Sequence, residues 1–195
     1  MWEPVMELLT SPWAYAIVLG IAALDAVFPL VPSESVAITA GVLAGVGDLD
    51  LQPAIAAAAV GAFAGDSTSY ALGRKVGGPA RRRLFHGERA TRALAWAEGM
   101  LEKRGGYLIV VARFVPGGRT ATTFTAGMVR FPAPKFLGFA ALAAICWASY
   151  AVLLGYLGGR AFEEQPLLAL GVALAIAFAV TLVVEGFRHL RRTRS

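Results

Sequence analysis

The strongest constraint on this chain is a conflict inside its apolar blocks. Residues 8–24, 53–75, 136–158 and 167–187 approach the ~20 residues a helix needs to cross a bilayer, with proline only near the start of the first two, at Pro12 and Pro53. Residues 25–47 and 106–129 are also rich in apolar side chains, yet each is broken by proline beside charge. The first reads "DAVFPLVPSESVAITAGVLAGVG" and the second contains "RFVPGGRTATTFTAGM". Proline removes a backbone donor, and irregular backbone at membrane depth is tolerated only where it is buried in protein or lines a wet cavity. A charged side chain near the bilayer centre costs at least ~2.5–3.5 kcal/mol, so it turns toward a partner or a pathway. The two broken segments are therefore expected to meet and satisfy one another.

Composition agrees with a membrane solvent. The 195 residues are 57% apolar and 16% charged, against about 45–50% and about 25% in soluble domains. The expectation is an all-α polytopic membrane protein, one membrane domain over 1–195 with no room for a separate soluble domain. The start, "MWEPVMELL", carries Glu3 and Glu7 where a secretory signal is basic, so the N-terminus is expected to be retained. Cys146 is the single cysteine, which rules out an internal disulfide and makes no metal site.

Charge placement orients the chain. Nine of the 18 Lys and Arg lie in residues 74–104, Arg130 and Lys135 flank a later loop, and Arg188, Arg191, Arg192 and Arg194 lie near the C-terminus. Basic loops stay cytoplasmic, which places these fifteen inside the cell and Arg160 outside. Arg113 and Arg119 remain within apolar sequence. Residues 79–104, with Leu84, Phe85, Leu94, Trp96 and Met100 among arginines, read as an amphipathic helix on an anionic cytoplasmic surface. No nucleic-acid partner is expected beside membrane spans.

An internal repeat is also visible. "FPLVPSESVAITAG" and "RFVPGGRTATTFTAG" each hold an aromatic, a proline, a charge just beyond it, and a closing Ala-Gly. The helices that follow end in "SYALGRKVGG" at 69–78 and "SYAVLLGYLGGR" at 149–160. The layout predicts an inverted repeat: re-entrant hairpins at 25–47 and 106–129, each followed by a transmembrane helix, 53–75 and 136–158, with a last span at 167–187. Transporters of that plan place their site where broken segments meet.

The charges at membrane depth are Asp25, Glu34, Asp66, Arg113 and Arg119, with Arg74 nearer the cytoplasm. Arg113 and Arg119 point apart on a continuous helix, whereas the Pro116-Gly117-Gly118 break can fold them to one place. A guanidinium is a planar, permanently charged fork suited to phosphate oxygens. The arginines thus either receive an anionic headgroup or pair with Glu34 or Asp66 to hold the bundle. Asp25 and Glu34 are candidate proton carriers, the structural alternatives being a helix N-cap for Asp25 and a salt bridge for Glu34. Asp66 is expected to pair with Arg74 or a re-entrant arginine. Ser33, next to Pro32, and Ser35 are expected to cap a half-helix, and Tyr70, Tyr150 and the tryptophans to pack or mark interfaces. His86 and His189 lie in basic, solvated stretches. No nucleophile–base set, phosphate-cradling loop, cofactor motif or metal cluster appears, so the expectation is a non-enzyme.

At "FPLVPSESVAITAG", "GDSTSYALGRKVG" and "RFVPGGRTATTFTAGM" the sequence resembles the DedA family of bacterial membrane proteins, related to the VTT-domain lipid scramblases. The resemblance implies two re-entrant hairpins of opposite orientation and, in the bacterial cytoplasmic membrane, transport of a polyprenyl-phosphate carrier lipid such as undecaprenyl phosphate, with protons as the driving ion. Some members are instead linked to phospholipid movement or to proton-dependent homeostasis. The family's paired acidic positions fall on Asp25 and Glu34 and its arginines on Arg113 and Arg119. Asp25 stands where many members carry Glu, one methylene longer. The implied partners are an anionic lipid and the membrane; homo-oligomer formation stays open. Two rival readings are a broader phospholipid scramblase or proton-coupled small-solute carrier, and a membrane scaffold acting through the basic 79–104 helix.

Overall fold

A computed structural model describes residue 11 and residues 13–26, 32–77, 99–101, 103–114 and 118–161. The elements are α1 (Trp13–Asp25), α2 (Ser33–Val46), α3 (Leu51–Val76), α4 (Tyr107–Arg113), α5 (Gly118–Met128) and α6 (Ala133–Ala161), with no strand among the described residues. Residues 79–98 of the segment expected at 79–104, the span expected at 167–187, and Pro116 and Gly117 lie outside the described residues.

Helix length sorts these elements. At about 1.5 Å per residue, the 13 residues of α1 and 14 of α2 reach about 20 Å each, short of the ~30 Å hydrocarbon core. The 7 residues of α4 and 11 of α5 are shorter still. By contrast α3 has 26 residues and α6 has 29. Among the described residues only α6 is both long and apolar enough to cross a membrane, with a mean hydropathy of 2.0. The segment expected as a span at 53–75 is one continuous helix, α3, but Asp66, Ser67, Thr68, Ser69, Arg74 and Lys75 make it too polar for that description. Of these, Asp66 and Ser69 are buried against protein, whereas Thr68, Arg74 and Lys75 are exposed. The first break also lies differently from the sequence reading. Its flanking limbs are α1 and α2, so α1 covers most of the 8–24 stretch read as an independent helix.

Packing is by small residues. Ala54, Ala58, Ala62, Ala140, Ala148 and Ala151 are buried, while Leu142, Ile145, Leu153 and Leu157 of α6 are exposed. Small residues within and large apolar ones outward is the arrangement of helices that pack closely in lipid. α3 packs against α1 and α5, α6 packs against α2 and α4, and α3 and α6 meet along the centre. Glycine permits the closest approaches. A Cβ at Gly41 would stand 2.1 Å from the Val152 carbonyl oxygen and one at Gly155 2.1 Å from that of Ile38, so α2 and α6 interlock reciprocally. Gly47 closes α2 in the left-handed region, at φ 93°, a conformation that costs glycine little.

Candidate functional site

The buried polar side chains of the described residues are Ser33, Asp66, Ser69, Arg113, Arg119 and Thr123. They gather where the short helices end against α3. Gly61 and Gly65 let α3 lie on the Leu19 and Ala23 carbonyls of α1, which brings Asp66 beside the last turn of α1 and Asp25. Asp66 has a side-chain exposure of only 2%. It accepts from both arginines, one on each oxygen: Arg113 Nη1 donates to Oδ2, and Arg119 Nε donates to Oδ1 at 2.7 Å.

Arg119 makes further bonds to α1. Its Nη1 donates to Asp25 Oδ2 at 3.0 Å and its Nη2 to the Ala22 carbonyl at 3.3 Å. The C-terminal end of a helix has carbonyls without intrahelical donors and a partial negative charge; a guanidinium there satisfies both. Asp25, the last residue of α1, sits at the unfavourable end for a carboxylate. Arg119 and the Ser33 hydroxyl, which donates to Oδ2 at 2.5 Å, offset that. Arg113 closes α4, the favourable end for a cation. Its guanidinium carbon lies 4.9 Å from the centroid of the Trp147 ring, in cation–π range. Its Nε and Nη2 are buried with no hydrogen-bond partner among the described residues. Unmet donors of this kind are costly in a dry site.

Several sequence expectations are corrected here. Glu34, in the first turn of α2, makes no ion pair with either arginine among the described residues; Asp25 takes that place. The reason is position: Glu34 begins α2, whereas Asp25 ends the helix onto which α3 and Arg119 pack. Of the partners expected for Asp66, the structure gives the arginines at the second break, Arg113 and Arg119, and not Arg74. Arg74 Nη1 instead donates to the Tyr70 hydroxyl at 2.9 Å, which donates to the Phe131 carbonyl at 2.5 Å. Ser33 does not cap α2; Pro32 precedes that helix with no side-chain cap bond, and the Ser33 hydroxyl is spent on Asp25. Asp25 is a C-terminal residue and no N-cap. Gly118 opens α5, one residue before Arg119.

Sequence reasoning missed two contributors. Trp147, expected to pack or to mark an interface, lies against the Arg113 guanidinium, and Tyr150 one turn on meets Phe114 beside it. Thr123 was not singled out; its Oγ1 lies 3.0 Å from Ser69 Oγ and ties α5 to α3. Its i+4 spacing from Arg119 was the available signal. Among the described residues no trio of His, Cys, Asp or Glu converges as a metal site requires. The assembly is a quartet of two guanidiniums and two carboxylates, buried except for the partly exposed Asp25, able to hold an anion only by releasing a carboxylate or using the free donors of Arg113.

Comparison with known proteins adds the family. The VTT domain model matches residues 31–157, from just before Pro32 into the last turns of α6. The chain belongs to the DedA family of VTT-domain membrane proteins. A Mycobacterium leprae relative described as an uncharacterized membrane protein is 34% identical over 175 residues, 85% of this chain and 77% of that protein. Protein DedA of Escherichia coli is 29% identical over 189 residues, 92% of this chain and 84% of its own. A Synechocystis membrane protein is 34% identical over 170 residues, 86% of this chain and 77% of its own. No solved structure matches. The VTT-domain match holds Glu34, Asp66, Arg113 and Arg119, while Asp25 lies just ahead of it.

Proposed function

We propose that this DedA-family protein is a lipid-phosphate translocase that returns undecaprenyl phosphate, or a closely similar polyprenyl phosphate, across the bacterial cytoplasmic membrane. The observation that carries this reading is the convergence of Arg113 and Arg119 on Asp66, with two Arg113 nitrogens buried and unpartnered. A lipid monophosphate presents a small anionic head to such forks while its tail stays in hydrocarbon.

The resting quartet is electrically balanced, two guanidiniums against Asp25 and Asp66. An arriving phosphate makes the region net negative unless a proton accompanies it. Asp25 has the most exposed carboxylate of the quartet, at 19%, and Glu34 lies within electrostatic reach of it. These two acids are the proposed proton acceptors, which couples lipid passage to the proton gradient. An inverted repeat is supported by the packing: each long helix carries the first short limb of its own half and the second limb of the other half.

The test is flipping of a labelled polyprenyl phosphate in vesicles holding the purified protein. Arg119→Ala and Arg113→Ala are each expected to reduce the rate at least tenfold. Undiminished flipping by both variants, in correctly folded protein, sinks the arginine role. Equal movement of zwitterionic phospholipid instead supports the broader scramblase. Loss of function on scrambling residues 81–92, with Arg119→Ala harmless, supports the scaffold.

A further inference from the structure

Chain order and packing are related in a simple way. The odd-numbered helices form one set, with α1 and α5 lying on the long helix α3. The even-numbered helices form another, with α2 and α4 on the long helix α6. The glycines follow the same division. Gly61 and Gly65 seat α3 on α1, while Gly73 of α3, Gly77 just past its end and Gly127 of α5 seat α3 and α5 together. Gly41 and Gly45 of α2 interlock with Gly155 and Gly159 of α6, and Gly106 brings the start of α4 against the Phe139 ring. Gly41, Gly45, Gly61, Gly65, Gly73, Gly127, Gly155 and Gly159 each meet a helix of their own set. None of these eight locks α3 to α6, which share an apolar core instead.

The polar ties divide likewise. Asp25, Asp66 and Arg119 all belong to the odd set, so the bonds of Arg119 are internal to it. Arg113 belongs to the even set, where it rests on Trp147 and where Phe114 beside it meets Tyr150 edge-on at 6.5 Å. Its bond to Asp66 and the bond from Ser33 to Asp25 therefore cross the boundary. The Tyr70–Phe136 ring stack, at 4.2 Å, crosses it too.

We propose that the two sets move as rigid units and that Arg113 is the arginine that changes partner. It exchanges Asp66 for the lipid phosphate as the even unit shifts, while Arg119 stays on Asp66 and Asp25; this rests on the lipid-phosphate reading above. Electrostatics selects Arg113. If it leaves, Asp66 still holds Arg119 and no carboxylate is stranded. If Arg119 leaves, Asp25 loses its guanidinium and the α1 end loses its cation. Breaking a buried pair is expensive because an uncompensated charge stays behind. Arg113 has in addition two nitrogens already free to accept an anion, and a phosphate can bind them without first breaking anything.

The experiment uses the full chain with Cys146→Ala and one of two cysteine pairs. Tyr70→Cys with Phe136→Cys spans the boundary; Phe114→Cys with Tyr150→Cys lies within the even unit. Each pair is bridged by a short bis-methanethiosulfonate, each thiolate displacing methanesulfinate to form a reducible disulfide, and flipping of labelled polyprenyl phosphate is compared before and after reduction. Bridging 70 to 136 is expected to cut the rate at least tenfold, reversibly, and bridging 114 to 150 by less than twofold. A harmless 70–136 bridge, or equal loss from both bridges, overturns the proposal. A second readout needs no transport: the rate at which the 70–136 pair is bridged in vesicles. Arg113→Ala is expected to slow it at least threefold and Arg119→Ala by less than twofold, because only the first variant removes a tie between the units. If no protein flips the lipid but this difference appears, the lipid reading fails and the two-unit motion stands. If flipping is intact but the difference is absent, the motion fails alone.

Discussion

Replacing Asp66 with Asn tests whether the buried quartet is held by charge balance. Asp66 receives one hydrogen bond from each arginine, and its side chain and that of Arg113 are each 2% exposed. Asn keeps the shape and one acceptor but leaves two guanidiniums facing one carboxylate, Asp25. Arg119 retains Asp25 and the Ala22 carbonyl. Arg113 loses its one hydrogen-bonded partner among the described residues and keeps only the Trp147 face. Removing one member of a buried pair costs about 3–5 kcal/mol. At roughly 2–4 °C per kcal/mol for a chain of this size, thermal unfolding in detergent should fall by about 6–20 °C. Adding Arg113→Gln removes the stranded charge, so the two changes should couple favourably by about 1–3 kcal/mol in a double-mutant cycle. Strict additivity, or an Asp66→Asn protein within about 0.5 kcal/mol of the parent, refutes the charge-balance reasoning.

Three further outcomes concern glycine packing and the Arg74 end of α3. Gly41→Ala, whose Cβ meets the Val152 carbonyl at 2.1 Å, should destabilise by about 1–3 kcal/mol. Gly138→Ala, with nothing within 4 Å, should stabilise by about 0.5–1 kcal/mol through helix propensity; thermal unfolding of both checks the sign. Tyr70→Phe keeps the stack on Phe136 but removes the hydroxyl between Arg74 and the Phe131 carbonyl. A loss of about 0.5–1.5 kcal/mol is expected by the same measurement, and a loss above about 3 kcal/mol would show that the ring and not the hydroxyl had been disturbed.

Much of the site was legible because charge inside apolar sequence is rare and must be answered. Arg113, Arg119 and Asp66 stood out for that reason, and the breaks that separate α1 from α2 and α4 from α5 were marked by proline. Partner choice was less legible. Asp25 and Arg119 are 94 residues apart, and their meeting depends on where Gly61 and Gly65 allow α3 to settle on α1. Nothing local to Glu34 tells a reader that Asp25 answers Arg119 in its place, since both are acids flanking one break. Ser33 looked like a cap because Ser at a helix start usually is one; the nearby carboxylate, an ionised acceptor, competes better for its hydroxyl. The odd–even division is written in glycine spacings, Gly41 to Gly45, Gly61 to Gly65, Gly73 to Gly77 and Gly155 to Gly159, but those spacings do not say which helices they join.

The most direct measurement of the central claim is equilibrium binding in lipid nanodiscs, comparing a polyprenyl phosphate with its uncharged alcohol for the parent protein and Arg113→Gln. A charge-assisted hydrogen bond contributes about 1.5–3 kcal/mol, or roughly ten- to a hundredfold in affinity. The parent should prefer the phosphate by at least that factor, and Arg113→Gln should lose most of the preference. Equal affinity for alcohol and phosphate, or a preference untouched by Arg113→Gln in folded protein, contradicts a guanidinium site for a lipid phosphate.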